Sequence, residues 1–101
     1  MARHFNISGE LTQELSAAGN SNKISRISFV NTQGTYLCTV DLYIEKKLTG
    51  KFYLLKGVEL PVGTSLVYDN IKFSNSSGGF GLYVKLNKSA AETPAVDIVL
   101  E

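Results

Sequence analysis

The sequence predicts an all-β fold: a single antiparallel β-sandwich of about eight strands with Ig-like or jelly-roll-like Greek-key connections. Two observations predict it. Apolar residues recur at every second position in most segments, which is the period of a strand with one buried face. Turn-forming residues separate these segments at the spacing typical of sandwiches and barrels. Because 101 residues suffice for one core, we expect one domain over residues 1–101.

The predicted strands share an alternation of apolar and polar residues and are bounded by Gly, Pro, Asn or Ser. Residues 11–18 are ambiguous, because Leu11 and Leu15 have helical i,i+4 spacing. We favour extended or irregular structure there, since the stretch is short and lies between turn signals. In chain order the predicted strands are residues 3–8, 24–31, 36–45, 51–56, 64–69, 71–73, 80–88 and 95–101.

Three of the predicted turns determine how the central strands connect. Residues 31–34 contain Asn and Gly and suggest a hairpin joining strands 24–31 and 36–45. Residues 46–50 would let the strand at 51–56 pair back onto the same neighbour. Pro61 fixes its φ and lacks a backbone donor, while Gly63 supplies a permissive backbone, so the chain should turn there as well.

Composition argues against several partner classes. The net charge is +1, from 10 basic and 9 acidic residues, so neither nucleic acid nor an anionic membrane is favoured. No apolar run approaches the roughly 20 residues of a membrane span, and the first residues lack the apolar stretch of a secretory signal. Cys38 is the single cysteine; we expect it to be a small buried side chain in a protein that folds in a reducing cytoplasm.

No catalytic, cofactor-binding or metal-binding residues are predicted. His4 is the only histidine, and no Gly-x-Ser-x-Gly motif accompanies it. The glycine-rich residues 77–81 lack the Lys-Ser/Thr pair and the following helix of a phosphate-binding loop. We therefore expect a protein that is not an enzyme and needs no cofactor.

The remaining functional candidates are residues on the protein surface that could contact a partner. Five apolar or aromatic side chains fall at positions expected to point away from the core, and several such residues together on one sheet would form a contact patch. An equally weighted alternative is that some of them belong to the core, or that the face assignment is shifted by one residue. These candidate protein-contact residues are Leu37, Tyr43, Tyr53, Tyr83 and Val99.

The segments at 26–31, 41–44 and 51–66 together resemble a pattern in small virion structural proteins of tailed bacteriophages, especially those of marine and cyanobacterial phages. The resemblance covers roughly residues 24–100. In the pattern, alanine usually precedes the glycine at 63, where this chain has Val62.

The resemblance implies a non-enzymatic virion component assembled in the cytoplasm of a bacterial host. The leading expectation is a capsid decoration or cement protein that binds the capsid lattice through a sheet surface and edge strands. The alternatives are a neck, tail or baseplate or fibre-associated subunit, and a carbohydrate- or receptor-binding β-sandwich. Expected partners are the major capsid protein or tail and neck proteins, with homo-oligomers or many copies per particle.

Overall fold

The structure, a computed structural model, describes residues 3–16, 23–46, 49–74, 80–88 and 93–101. These residues form eight β-strands and no helix, so no membrane-spanning helix occurs in this part of the chain. The strands are β1 (Arg3–Ser8), β2 (Gln13–Ser16), β3 (Lys23–Asn31), β4 (Cys38–Lys46), β5 (Gly50–Leu60), β6 (Ser65–Ser74), β7 (Gly81–Lys88) and β8 (Ala95–Leu100).

The strands form two four-stranded antiparallel sheets that pack face to face. Sheet A has the order β1-β8-β3-β6, and sheet B has the order β2-β7-β4-β5. Among consecutive strands, only β4 and β5 pair with each other, so every other connection crosses between the sheets. This arrangement is a jelly roll. The predicted eight-stranded sandwich is confirmed, and of the two topologies considered the jelly roll is the observed one.

The core lies between the sheets and consists mainly of alternating apolar positions of the predicted strands, which Leu15 and Leu60 join from outside them. Phe29 is fully buried, and Cys38 is 1% exposed, as expected for a small apolar side chain. Burial of this apolar set is the main favourable term in folding. The other core residues are Ile7, Leu15, Ile24, Ile27, Val40, Leu42, Leu60, Leu82, Val84, Leu86, Val96, Ile98 and Leu100.

The predicted hairpin at residues 31–34 is wrong. β3 pairs with β6 and β8, whereas β4 lies in the other sheet. The Asn31 side chain fixes the crossing, because its amide Nδ2 donates to the carbonyls of Tyr36 at 3.2 Å and Leu60 at 2.8 Å. Its Oδ1 accepts from the Gln33 amide at 2.9 Å. These bonds hold residues 31–37 in a bridge between the sheets instead of a two-strand turn.

Other element boundaries also differ from the predictions. Tyr36, predicted to be the first residue of a strand, precedes β4 and is 42% exposed. The ambiguous stretch at 11–18 contains a short strand, β2, which buries Leu15. The strand predicted at 51–56 continues to Leu60, and the strands predicted at 64–69 and 71–73 are one strand with a register shift. The glycine-rich motif at 77–81 lies mostly outside the described residues.

The turn predicted at Pro61 is confirmed. The Thr64 amide and hydroxyl both donate to the Pro61 carbonyl, at 3.2 Å and 2.6 Å. Gly63 has a φ of 72°, which a residue with a Cβ rarely adopts. This turn carries the chain from β5 in sheet B to β6 in sheet A.

Candidate functional site

Three of the five candidate contact residues form one row across the outer face of sheet B. Tyr43 on β4 is the register partner of Tyr53 on β5 and of Tyr83 on β7. The Tyr43 and Tyr83 rings stack at 5.6 Å between centroids, and the Tyr43 and Tyr53 rings are tilted at 5.3 Å. Both separations lie in the range of favourable aromatic pairs. We call Tyr83, Tyr43 and Tyr53 the tyrosine row.

A glycine allows the row to lie flat on the sheet. Gly81 is two residues before Tyr83 on the same face of β7. A Cβ built at Gly81 would lie 2.8 Å from the Tyr83 hydroxyl and 3.0 Å from its ring. The Tyr83 side chain therefore covers the glycine backbone, an arrangement that compensates for the missing side chain in a strand.

The three tyrosines are not equally accessible. Tyr43 is only 4% exposed although it points away from the core, because neighbouring side chains on the same face cover it. Tyr53 is 44% exposed, and Tyr83 is half-buried. Tyr43 is thus the floor of the patch, and the flanking tyrosines provide its accessible aromatic surface.

The two ends of the tyrosine row carry opposite charges. Glu14 on β2 is the register partner of Tyr83 and is exposed. At the other end, the Lys56 Nζ lies 4.5 Å from the Tyr53 ring centroid, and the Lys51 Nζ lies 4.9 Å from the Tyr43 ring centroid. Ammonium groups at these distances are attracted to the negative faces of the rings.

The environment of Tyr83 raises the pKa of its hydroxyl above the ordinary value of 10.0. Burial is the largest cause, followed by the charge of Glu14, the charge of Glu45 and hydrogen bonding with the Glu14 side chain. Each of these effects disfavours the tyrosinate anion. Tyr83 therefore presents a protonated hydroxyl at the acidic end of the row.

Next to the row, Asp41 anchors an irregularity in β5. Its Oδ1 accepts a 2.7 Å hydrogen bond from the Gly57 amide, where the register of β4 and β5 shifts and Gly57 has a φ of 63°. Its Oδ2 accepts from Asn87 at 3.3 Å and lies 3.6 Å from the Lys56 Nζ. Asp41 is 6% exposed. The carboxylate thus stabilises a β-bulge in the edge strand and holds Lys56 near Tyr53.

The other two candidate contact residues lie elsewhere. Leu37 is half-buried in the connection before β4. Val99 is half-buried on the outer face of sheet A, where His4 and Ser28 are its register partners. The structure does not bring either residue to the tyrosine row.

Sequence reasoning missed the charged residues of this surface. Asp41 had a readable signal, since an acidic residue inside the most regular apolar strand needs hydrogen-bonding partners when it is buried. Glu14, Lys51 and Lys56 had none, because strand order and register place them beside tyrosines that are distant in sequence.

A separate open cleft of about 340 Å³ lies at one end of sheet A. It is lined by Ser25, Arg26, Asp69 and Glu101, and Arg26 forms a 3.5 Å ion pair with Glu101. Among the described residues, no group of three His, Cys, Asp or Glu side chains is placed to hold a metal ion.

The tyrosine row offers aromatic surface, hydroxyl groups and paired charges, which are the components of a contact surface.

The sequence matches no family model and no curated protein. Solved structures do share its fold. PirA aligns with a TM-score of 0.67 at 11% identity, over 97% of this chain and 93% of PirA. The mitogen of Yersinia pseudotuberculosis aligns with a TM-score of 0.57 at 13% identity, over 99% of this chain and 84% of the mitogen.

A chain in the structure of infectious bursal disease virus, Gx strain, also aligns over 98% of this chain. The TM-score is 0.51 at 15% identity, and the alignment covers 32% of the viral chain. At these identities the likeness shows the jelly-roll fold alone. The neighbours include a viral particle protein as well as proteins described in other terms, so the fold by itself does not select a function.

Proposed function

We propose that this chain is a non-enzymatic structural protein of a virion and that it contacts other virion proteins through the outer face of sheet B. The observation that carries the proposal is the tyrosine row, which places accessible aromatic surface between opposite charges on a sheet face pointing away from the core. Tyrosine is enriched in protein interfaces because one side chain combines apolar area with a hydroxyl group.

Two further observations support the proposal. The chain resembles small virion proteins of tailed bacteriophages over roughly residues 24–100, and its jelly roll aligns along nearly its full length with part of a chain from a virus structure. Within this class, we propose decoration of a phage capsid, with a neck, tail or baseplate position as the second placement. A modest contact surface suits a many-copy lattice, where several weak contacts give strong attachment.

A protein contact fits the tyrosine row better than the saccharide site considered from the sequence. Stacking on a sugar would need a free aromatic face. The Tyr43 ring is already contacted by Tyr53, Tyr83 and Lys51, and the Tyr53 ring is contacted by Tyr43 and Lys56. A protein partner needs no free ring face, because it can pack on ring edges, hydroxyl groups and the aliphatic parts of the lysines.

The first test is quantitative mass spectrometry of gradient-purified particles of the virus that encodes this chain. Hundreds of copies per particle would support a capsid lattice or a repeated tail. A handful would support a neck or baseplate position. Complete absence from the particles would refute the proposal.

The contact surface is tested by adding purified variants to particles that lack the protein. We expect Tyr53→Ala to reduce binding at least about tenfold, as loss of an interface tyrosine often does. Tyr36→Ala is the matched control, because Tyr36 is 42% exposed against 44% for Tyr53 and lies outside the row. Equal binding of the two variants would contradict the assignment of the surface.

A further inference from the structure

The charges on the outer face of sheet B form a two-dimensional pattern. Register partners on β7, β4 and β5 form three consecutive rows on this face. The middle row is the tyrosine row, and Glu14, the register partner of Tyr83, extends it onto β2. Lys56 joins the first row through its 3.6 Å approach to Asp41. In the order β7–β4–β5 the rows are Lys85–Asp41–Lys56, Tyr83–Tyr43–Tyr53 and Gly81–Glu45–Lys51.

This pattern is complementary to itself in one orientation. We infer that the outer face of sheet B binds a second copy of this chain about a two-fold axis that lies in the interface and runs parallel to the strands. The inference goes beyond the proposed function, because it gives this surface a second partner besides the virion, and it relies on that proposal only for the choice of surface. A two-fold contact uses the same patch on both copies, so each complementary pair occurs twice.

Rotation about this axis reverses the order of the strands and keeps the order of the rows. β2 of one copy then lies over β5 of the second copy, so Glu14 faces the region of Lys51 and Lys56. β7 lies over β4, which sets Tyr83 over the position of Tyr43. Opposite charges meet at both ends of the row, because the two-fold axis repeats the contact, and the strands of the facing sheets stay nearly aligned, as in common sheet packing.

The other two-fold axis in the plane of the interface, parallel to the tyrosine row, gives the opposite result. It keeps the strand order and exchanges the first and third rows. Glu14 of one copy would then face Glu14 of the other, and Lys56 would face Lys51. Because both contacts join like charges, the charge pattern selects the axis parallel to the strands.

The tyrosines fit the selected orientation. The axis passes between β7 and β4, so Tyr53 of one copy lies toward Glu14 and Tyr83 of the second copy. Tyr53 is 44% exposed and projects from the face. About 14 Å separates β2 from β5, so the contact covers less than the roughly 800 Å² per partner of a standard interface. We therefore expect a weak dimer.

The test is sedimentation velocity of the purified chain over about 1 µM to 1 mM, a range that brackets weak dimers. We expect concentration-dependent dimerisation that weakens as salt is raised, since charge pairs at the rim are screened. A monomer at all concentrations would overturn the inference.

Charge reversals then test the axis. Glu14→Lys and the double change Lys51→Glu with Lys56→Glu should each weaken dimerisation at least about fivefold. Combining all three changes should restore dimerisation, because the positive charge then lies on β2 and the negative charges on β5, and the two ends of the row are again complementary. Asp69→Lys is the control for a change of net charge, since Asp69 is exposed on sheet A. If Glu14→Lys leaves dimerisation unchanged, or if the triple variant stays as weak as the others, the selected axis is refuted.

These results separate the inference from the proposed function. A strictly monomeric chain that is abundant in virions would refute the self-association and leave the virion role standing. A dimer with the expected response to charge reversal, absent from virions, would refute the virion role and support the self-association.

Discussion

Replacing Asn31 tests the connection that carries the chain from sheet A to sheet B. Asn31 is 2% exposed, and its side chain makes three hydrogen bonds, to the carbonyls of Leu60 and Tyr36 and from the amide of Gln33. At a net value of about 1 kcal/mol each, their loss in Asn31→Ala should lower the free energy of unfolding by about 3 kcal/mol. That is a large part of the 5–15 kcal/mol typical of a domain.

Asn31→Asp separates hydrogen bonding from shape. The aspartate has nearly the same volume, but it cannot donate, and it brings a negative charge against two carbonyl oxygens that lie 2.8 Å and 3.2 Å from the native amide nitrogen. We expect Asn31→Asp to be at least as destabilising as Asn31→Ala. Its second carboxylate oxygen would face two carbonyl oxygens with no donor between them, and a buried charge opposed in this way costs more than an absent side chain.

The assay is urea unfolding followed by far-UV circular dichroism, with the slope of the transition compared among variants. Asn6→Ala is the control, since Asn6 is exposed and donates one hydrogen bond to Asp97. We expect it to cost less than about 1 kcal/mol. If the free energy of unfolding of either Asn31 variant lies within about 0.5 kcal/mol of that of the unchanged protein, the role given to this side chain is refuted.

Three further predictions concern sheet B. Asp41→Ala should cost about 2–3 kcal/mol, because it removes a buried carboxylate that accepts hydrogen bonds from the Gly57 amide and from Asn87; a loss below about 0.5 kcal/mol in urea unfolding would contradict this. Gly57→Ala should cost about 1–2 kcal/mol from the positive φ alone, whereas Gly34→Ala, with open space and no positive φ, should be neutral; equal melting temperatures would refute the difference. Because the pKa of Tyr83 is raised in the folded state, its contribution to stability is complete below pH 10.0 and is lost as the pH rises through the folded-state pKa. Glu14→Gln should lower that pKa, which an ultraviolet titration of tyrosinate would measure, and an unchanged titration curve would count against the assigned cause.

The strands with one buried face were predictable from the sequence. β4, β7 and β8 alternate in sequence, since each directs every second side chain into the core. On β7 and β8 the other side chains are more exposed, whereas on β4 Asp41 and Tyr43 are covered on the outer face. The connections were less predictable. Asn and Gly at 31–34 are equally compatible with a hairpin and with a crossing between sheets, and the choice depends on the Leu60 carbonyl, 29 residues away from Asn31.

The candidate site was predictable residue by residue but not as a surface. Tyr43, Tyr53 and Tyr83 were expected to point outward, yet only the register of β5, β4 and β7 shows that they form one row. Two register shifts between β4 and β5 determine that alignment, and their positions depend on long-range contacts such as that of Asp41 with Gly57. Leu37 and Val99 had the same sequence signal and lie elsewhere, because alternation gives the side of a strand and not its neighbours.

The position of β8 has a consequence for synthesis in the cell. β8 is the last of the eight strands along the chain, and it lies between β1 and β3 in sheet A. Until β8 has left the ribosome, β1 cannot be joined to the rest of sheet A, and the edges of β1 and β3 that pair with β8 keep unpaired backbone groups. We expect the jelly roll to close only after β8 has been translated. Before that point, the unpaired strand edges can pair with other nascent chains on the same messenger RNA, so this is when the risk of aggregation is greatest.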